Sequence, residues 1–169
     1  MIISESGHFI IEVGTIFKTL HVQETLLVFC TDEGLAFAQL KSDLSLEFRP
    51  QMSILTEKMF RTGVLLKPSI VMVADFHSPG YLIVDCKTRR ILYTIEETNF
   101  ANKECLKIEN LPFFDYDAMP YVMTLTATGL NLINTKVKKS FIFRSGKFKD
   151  FTFQTFGEMV DPVARLVYS

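Results

Sequence analysis

The sequence predicts an all-β chain: a partial β-propeller-like array of three to four four-stranded antiparallel blades. Three observations lead there. Short runs rich in Val, Ile, Phe, Tyr and Thr recur between Gly, Pro, Asp and Ser punctuation, while few stretches carry the i, i+3, i+4, i+7 apolar spacing of a helix. These runs follow one order three times (strand, glycine turn, strand, basic or polar turn, strand), and Gly34, Gly80 and Gly129 stand 46 and 49 residues apart, close to the roughly 40–50 residues of a propeller blade. Stretches such as 26–29 and 70–73 are apolar at consecutive positions, so both faces of their sheets need neighbours to cover them.

The elements follow in order. In the first unit, 14–50, residues 14–22 give the inner strand, 26–30 the second, 31–34 a tight turn, 35–40 the third and 44–48 the fourth. Residues 52–60, after Pro50, supply the one short helical piece expected. The second unit, 61–97, repeats the order with strands at 61–67, 70–76, 81–86 and 91–95. The third, 111–145, does so with 111–118, 121–126, 130–135 and 140–143, and 149–156 opens an incomplete unit running to residue 169. A one-domain β-sandwich or barrel uses the same strand lengths and turns and is the alternative.

Three and a half blades fall short of the about four to eight of a closed propeller. The chain is therefore expected to be a segment of a larger propeller, to close by association, or to complete its last blade with residues 2–13. An open arc would leave two apolar sheet faces bare, an aggregation hazard.

Composition bounds the function. Of 169 residues, 48 % are hydrophobic and 22 % charged, enough for a core and inconsistent with disorder. Eighteen Lys and Arg against nineteen Asp and Glu leave a formal charge of −1, so the overall basic character of a dedicated nucleic-acid binder is missing. Cys30, Cys86 and Cys105 are odd in number and widely spaced, which offers neither a disulfide framework nor a CxxC zinc site and points to a reducing compartment. The first fourteen residues carry Glu5, His8 and Glu12 and do not read as a secretory signal. With no apolar run near the about 20 residues that cross a bilayer, a cytoplasmic protein is expected.

The catalytic patterns fail on spacing. His8, His21 and His77 are scattered, so no pair of imidazoles is set for one metal. Asp75, His77 and Cys86 best imitate a nucleophile site, but the repeat places His77 in a turn and Cys86 at the far end of the next strand, roughly 20 Å away at about 3.3 Å per residue. Asp115 and Asp117 alternate on one predicted strand and read as a solvated strand end. No phosphate-cradling glycine loop occurs, and sixteen Phe with no Trp read as core rather than as base-stacking platforms. No catalytic residue, metal or cofactor is expected. The enzyme alternative is a hydrolase or transferase whose pocket gathers Asp75, His77 or Asp115.

The charge feature above background is a basic rim. Lys136, Lys138, Lys139, Arg144, Lys147 and Lys149 run without an intervening acid, and Lys87, Arg89 and Arg90 occupy the equivalent connection one unit earlier. In a propeller the two clusters share a face, opposite Asp32, Glu33, Glu96 and Glu97. Lys87, Arg89, Arg90, Lys136, Lys138 and Lys139 are the candidate binding residues, with weak, salt-sensitive contact to an anionic membrane surface or to nucleic acid as the alternative expectation.

Leu111-Pro112-Phe113-Phe114, then Pro120-Tyr121-Val122-Met123-Thr124-Leu125 and Gly129-Leu130-Asn131-Leu132-Ile133, resemble the late section of citron-homology domains. In that family a Pro-x-x-Phe strand precedes a Pro-Tyr-apolar strand and a return strand inside a WD40-like propeller. The resemblance covers residues 60–143, and no Trp is present to form the dipeptide of an ordinary WD40 repeat. It implies a noncatalytic module that engages small GTPases or tethering and trafficking partners. A completing propeller segment is the other protein partner expected.

Overall fold

The structure is a computed structural model that describes residues 2–3, 9–10, 14–48, 50–78, 80–95, 105–112, 114–126, 129–136 and 139–143. Strands β1 (Ile2–Ile3) and β2 (Phe9–Ile10) pair with each other. Three four-stranded sheets follow. The first holds β3 (Ile16–Gln23), β4 (Leu26–Thr31), β5 (Gly34–Leu40) and β6 (Leu46–Phe48). The second holds β7 (Phe60–Lys67), β8 (Ile70–Asp75), β9 (Tyr81–Asp85) and β10 (Arg90–Ile95), and the third β11 (Cys105–Asn110), β12 (Tyr121–Thr126), β13 (Gly129–Asn134) and β14 (Lys139–Phe143). Each is an antiparallel meander, and among the described residues no ladder joins one sheet to another. Three separate four-stranded meanders are what a propeller requires, whereas a barrel is one closed sheet and a sandwich is two.

The sheets face each other because their strands are apolar on both sides. All six residues of β8 are buried, and its side chains alternate between two interfaces. Val71 and Val73 join Leu20, Val28, Cys30, Leu35 and Phe37 of the first sheet. Ile70, Met72 and Ala74 join Ile108, Val122 and Ile133 of the third. The first strands β3, β7 and β11 lie side by side where the sheets converge. There the Thr62 hydroxyl accepts the Ile108 N–H at 2.9 Å, and the Asn110 side-chain amide donates to the Leu65 carbonyl, also at 2.9 Å.

One main-chain hydrogen bond marks the repeat. At the end of the third strand of each blade or just past it, the N–H of Leu40, Cys86 and Thr135 donates to the carbonyl of Thr25, Ser69 and Pro120 at 2.7, 2.7 and 2.8 Å. The three donors are spaced as the three turn glycines are.

The third blade begins earlier than expected. Its first strand is Cys105–Asn110, and 111–120 forms the connection to β12. Pro112 has no N–H for a ladder, and the Asp115 carboxylate takes the N–H groups of Asp117 and Ala118 at 2.8 and 3.0 Å, which turns the chain instead. Asp115 and Asp117 thus lie in a bridged turn, with Asp115 paired to Met119, and not on one strand. The helix expected over 52–60 is reduced to a single turn, Pro50–Met52. Ile54 instead exchanges hydrogen bonds with Leu35 at 3.0 Å each way, and Leu55 takes φ 56°. Met52, Ile54 and Leu55 pack between the first two blades, so tertiary burial overrides the local pattern.

Residues 96–97 and 144–169, which include the expected strand 149–156, lie outside the described residues. Among the described residues the bare faces expected of an open arc are not found. Phe29, Ala36, Ala38 and Phe48 on the far side of the first sheet are buried, as are Met123, Leu130 and Leu132 on the far side of the third.

Two glycines are required by close approach. Gly34 has φ +89°, and a Cβ there would stand 2.4 Å from the Ile54 carbonyl oxygen. At Gly63 a Cβ would meet Val73 Cγ1 at 2.8 Å and Cys30 Sγ at 3.2 Å, between the first two blades. Gly63→Ala is expected to destabilise by about 1–3 kcal/mol, the range for overpacking. Gly34→Ala should cost more, because the obstacle is backbone and the conformation itself is strained. Urea unfolding of both variants checks this, and equal midpoints would contradict it. Thr62→Val leaves the buried Ile108 N–H without its acceptor and should cost about 1–3 kcal/mol in the same assay.

Candidate functional site

The connections after the first and third strands of each blade emerge at one end of the array, and those after the second and fourth at the other. Cys86 bonded to Ser69, and Thr135 bonded to Pro120, fix this for the second and third blades. The two basic clusters therefore share an end. Lys87 and Arg89 are exposed in the turn between β9 and β10, Arg90 is exposed as the first residue of β10, and Lys136 is exposed in the turn between β13 and β14. Lys138 lies outside the described residues, and Lys139 is described only as the first residue of β14.

Asp85 shapes the β9–β10 turn. Its carboxylate accepts from the N–H of Lys87 at 2.9 Å and from the Thr88 hydroxyl at 2.8 Å. Burial pushes the Asp85 carboxyl up, but these bonds and the Lys87 ammonium outweigh burial and hold it below its usual range. The turn puts Arg89 in the left-handed region at φ 57° and leaves Lys87, Arg89 and Arg90 without an ion-pair partner among the described residues. In the next blade Asn134 acts in the same way, its side-chain oxygen accepting the Lys136 N–H at 3.0 Å.

This end is not uniformly basic. Lys136 Nζ donates to the Asp117 carboxylate at 3.0 Å and to the Asp117 carbonyl at 3.1 Å. Beside it lies a cluster that charge counting along the chain missed. The Tyr116 ring carries Lys67 Nζ at 4.5 Å and Lys136 Nζ at 5.4 Å from its centroid. Its hydroxyl lies 3.3 Å from that of Tyr93, which donates to the Thr135 carbonyl at 2.7 Å. Burial, then the hydrogen bond with Tyr116, pushes the Tyr93 phenol up. Lys67 is isolated among apolar residues in the chain, so only the fold adds it to the other cations.

The opposite end is mixed as well. Asp32 accepts the Thr15 N–H at 2.7 Å, and Asp75 pairs with Lys58 at 2.8 Å while also accepting the His77 N–H at 3.1 Å. Glu33 is exposed there, and Glu96 and Glu97 lie outside the described residues.

The other constellations stay apart. Asp75 and His77 sit at one end of the second sheet and Cys86 at the other, where β8 starts, as the repeat predicts. His21 lies near the Glu24 carbonyl, 3.2 Å away, and His8 is outside the described residues. Among the described residues no three His, Cys, Asp or Glu side chains gather to hold a metal. Burial pushes the thiols of Cys30, Cys86 and Cys105 up to about 12 each. The reactive thiolate is therefore scarce at neutral pH. In the native protein the three should react with a disulfide reagent at pH 7.5 at least tenfold more slowly than in urea, and native labelling at the unfolded rate would contradict their burial.

For Asp75, burial raises the carboxyl, and the bonds from Lys58, His77 and Ser78 outweigh it, so the native value is lowered. Its stabilisation is complete above the unfolded carboxyl value of about 3.9 and is lost as pH falls through the lower native value. Asp75→Asn should destabilise by on the order of 1–3 kcal/mol at pH 7. The gap to the parent should narrow towards pH 3 in denaturant titrations, and a gap independent of pH would refute the assignment.

No family model matches the chain, and no curated protein matches it by sequence. Solved structures do match. The WD40 β-propeller domain of Doa1 superposes with a TM-score of 0.58 at 11 % identity, over 78 % of this chain and 41 % of that one. Hydrazine synthase of Kuenenia stuttgartiensis gives 0.57 at 9 %, over 82 % and 38 %. The extracellular domain of a putative hybrid two-component system from B. thetaiotaomicron gives 0.52 at 17 %, over 70 % and 14 %. The chain thus spans well under half the length of each of these structures. At such identities the likeness concerns the fold alone, and with the three meanders it makes this chain an all-β array of the WD40-like propeller type.

Proposed function

We propose that the chain is a non-catalytic, cytoplasmic interaction module of the WD40-like propeller type that docks protein partners through its basic end. The observation that carries this reading is the set of cations Lys67, Lys87, Arg89, Arg90 and Lys136 held on short, hydrogen-bonded turns and the strand ends beside them, at one end of the packed sheets. Such cations steer an anionic partner and set its orientation. The resemblance to citron-homology domains makes small GTPases or trafficking and tethering proteins the partner class, with a completing propeller segment as the other.

The test is binding to a panel of small GTPases, each loaded with GDP or a GTP analogue, measured by interferometry at two salt concentrations. The triple variant K87E/R89E/R90E should bind at least tenfold more weakly, and the parent's affinity should fall with salt. Binding indifferent to both changes would refute the basic end as the docking surface. A second reading, contact with an anionic membrane, is favoured by Ile91 and Leu92, which are 42 % and 49 % exposed directly after Arg90. Each cation near such a surface adds about 1 kcal/mol, screened over about 8 Å at physiological salt. Neutralising Lys87, Arg89, Arg90, Lys136, Lys138 and Lys139 should then abolish co-sedimentation with phosphatidylserine vesicles, and persistence would exclude it.

A further inference from the structure

At the end opposite the basic turns, two aromatic side chains from two other elements close on one guanidinium of the second blade. Arg61, the second residue of β7, lies with its Cζ 4.1 Å from the centroid of Phe76 in the β8–β9 turn and 5.3 Å from that of Phe17 in β3. Both rings lie within cation–π distance of the guanidinium, a setting that suits a delocalised, weakly hydrated cation better than a compact ammonium.

Two acids of this end are engaged elsewhere, and Glu33 is exposed in the β4–β5 turn. Asp75 is held by Lys58 and the His77 N–H, and Asp32 by the Thr15 N–H. Arg61 has no ion pair among the described residues, and it is exposed. Beside it Ile16 and Phe17 are 41 % and 38 % exposed, an apolar margin on the inner strand of the first blade. Aromatic and arginine side chains at such a margin have the composition of an interface hot spot.

We propose that Arg61 is the anchor of a second binding site, which takes the side-chain carboxylate of an acidic residue flanked by apolar residues in a partner polypeptide. The planar fork matches a carboxylate bidentately, the neighbouring rings of Phe17 and Phe76 restrict it before binding, and the exposed Phe17 covers the apolar flank. A doubly charged phosphate is the poorer fit, because Asp32 and Glu33 lie at this same end. The site is independent of the basic end, so either can fail without the other.

The probe is the acetylated, amidated tripeptide Leu-Glu-Phe, titrated into protein labelled with 15N at arginine, with the side-chain Nε–H of Arg61 as the readout. That resonance should shift and saturate with the Glu peptide, while the Gln and phosphoserine analogues bind at least tenfold more weakly. Arg61→Lys and Phe17→Leu should each weaken Glu-peptide binding at least fivefold with the melting temperature unchanged, whereas K87E/R89E/R90E should leave it intact. Phe17→Leu keeps every charge, so it tests the cation–π contact even if Arg61→Lys perturbs the fold. Equal binding of the Glu and Gln peptides, tighter binding of the phosphoserine peptide, or loss of binding in the basic-end variant would each overturn the proposal.

Discussion

Everything in this molecule depends on sheets that are apolar on both faces. A four-stranded meander of that kind has no face to give to water, so it is stable only between two others. The second blade shows the consequence most fully: the alternating residues of β8 enter two different cores, and its first strand lies between those of its neighbours. At that convergence the contacts tighten until a side chain no longer fits, which is why Gly63 stands where Val73, Cys30 and Leu20 close in. Buried polar groups bond from one blade to the next, Thr62 with the Ile108 amide and Tyr81 with Thr124 at 2.8 Å.

Much of this was legible in the chain, for a reason that lies in the turns. A glycine flanked by apolar runs specifies a hairpin through backbone freedom, and its recurrence reports the blade period directly. The first two blades came through with boundaries nearly intact, since 61–67 and 70–76 differ from β7 and β8 by one residue at an end. The third slipped because Leu111, Phe113 and Phe114 look like a strand, whereas Pro112 and the Asp115 side chain make the backbone turn there. Residues 52–60 misled in the opposite sense. Their apolar positions serve the gap between two blades, an environment that no local periodicity encodes.

The candidate site was legible only where charge is contiguous. Lys87, Arg89 and Arg90 stand out in the sequence, and so does the basic run from Lys136. Lys67 and Tyr116 join them through the side-by-side packing of the second and third blades, and Phe17, Arg61 and Phe76 meet through that of the first and second. Groups that depend on a relation between blades leave no mark in either blade alone. Asp85 is intermediate: its spacing to Thr88 is visible in the chain, but its work is to bend the turn that displays the cations.

The hydrogen bond that recurs at the close of the third strand of each blade is made entirely by main-chain groups, with leucine, cysteine and threonine as the three donors. The side chain at that position is therefore free to change while the geometry it marks is kept. Blades closed in this way depend on hydrophobic order and loop length more than on residue identity at the closing position. Such an architecture specifies a rhythm in place of a vocabulary, so one shape is compatible with chains that share few letters.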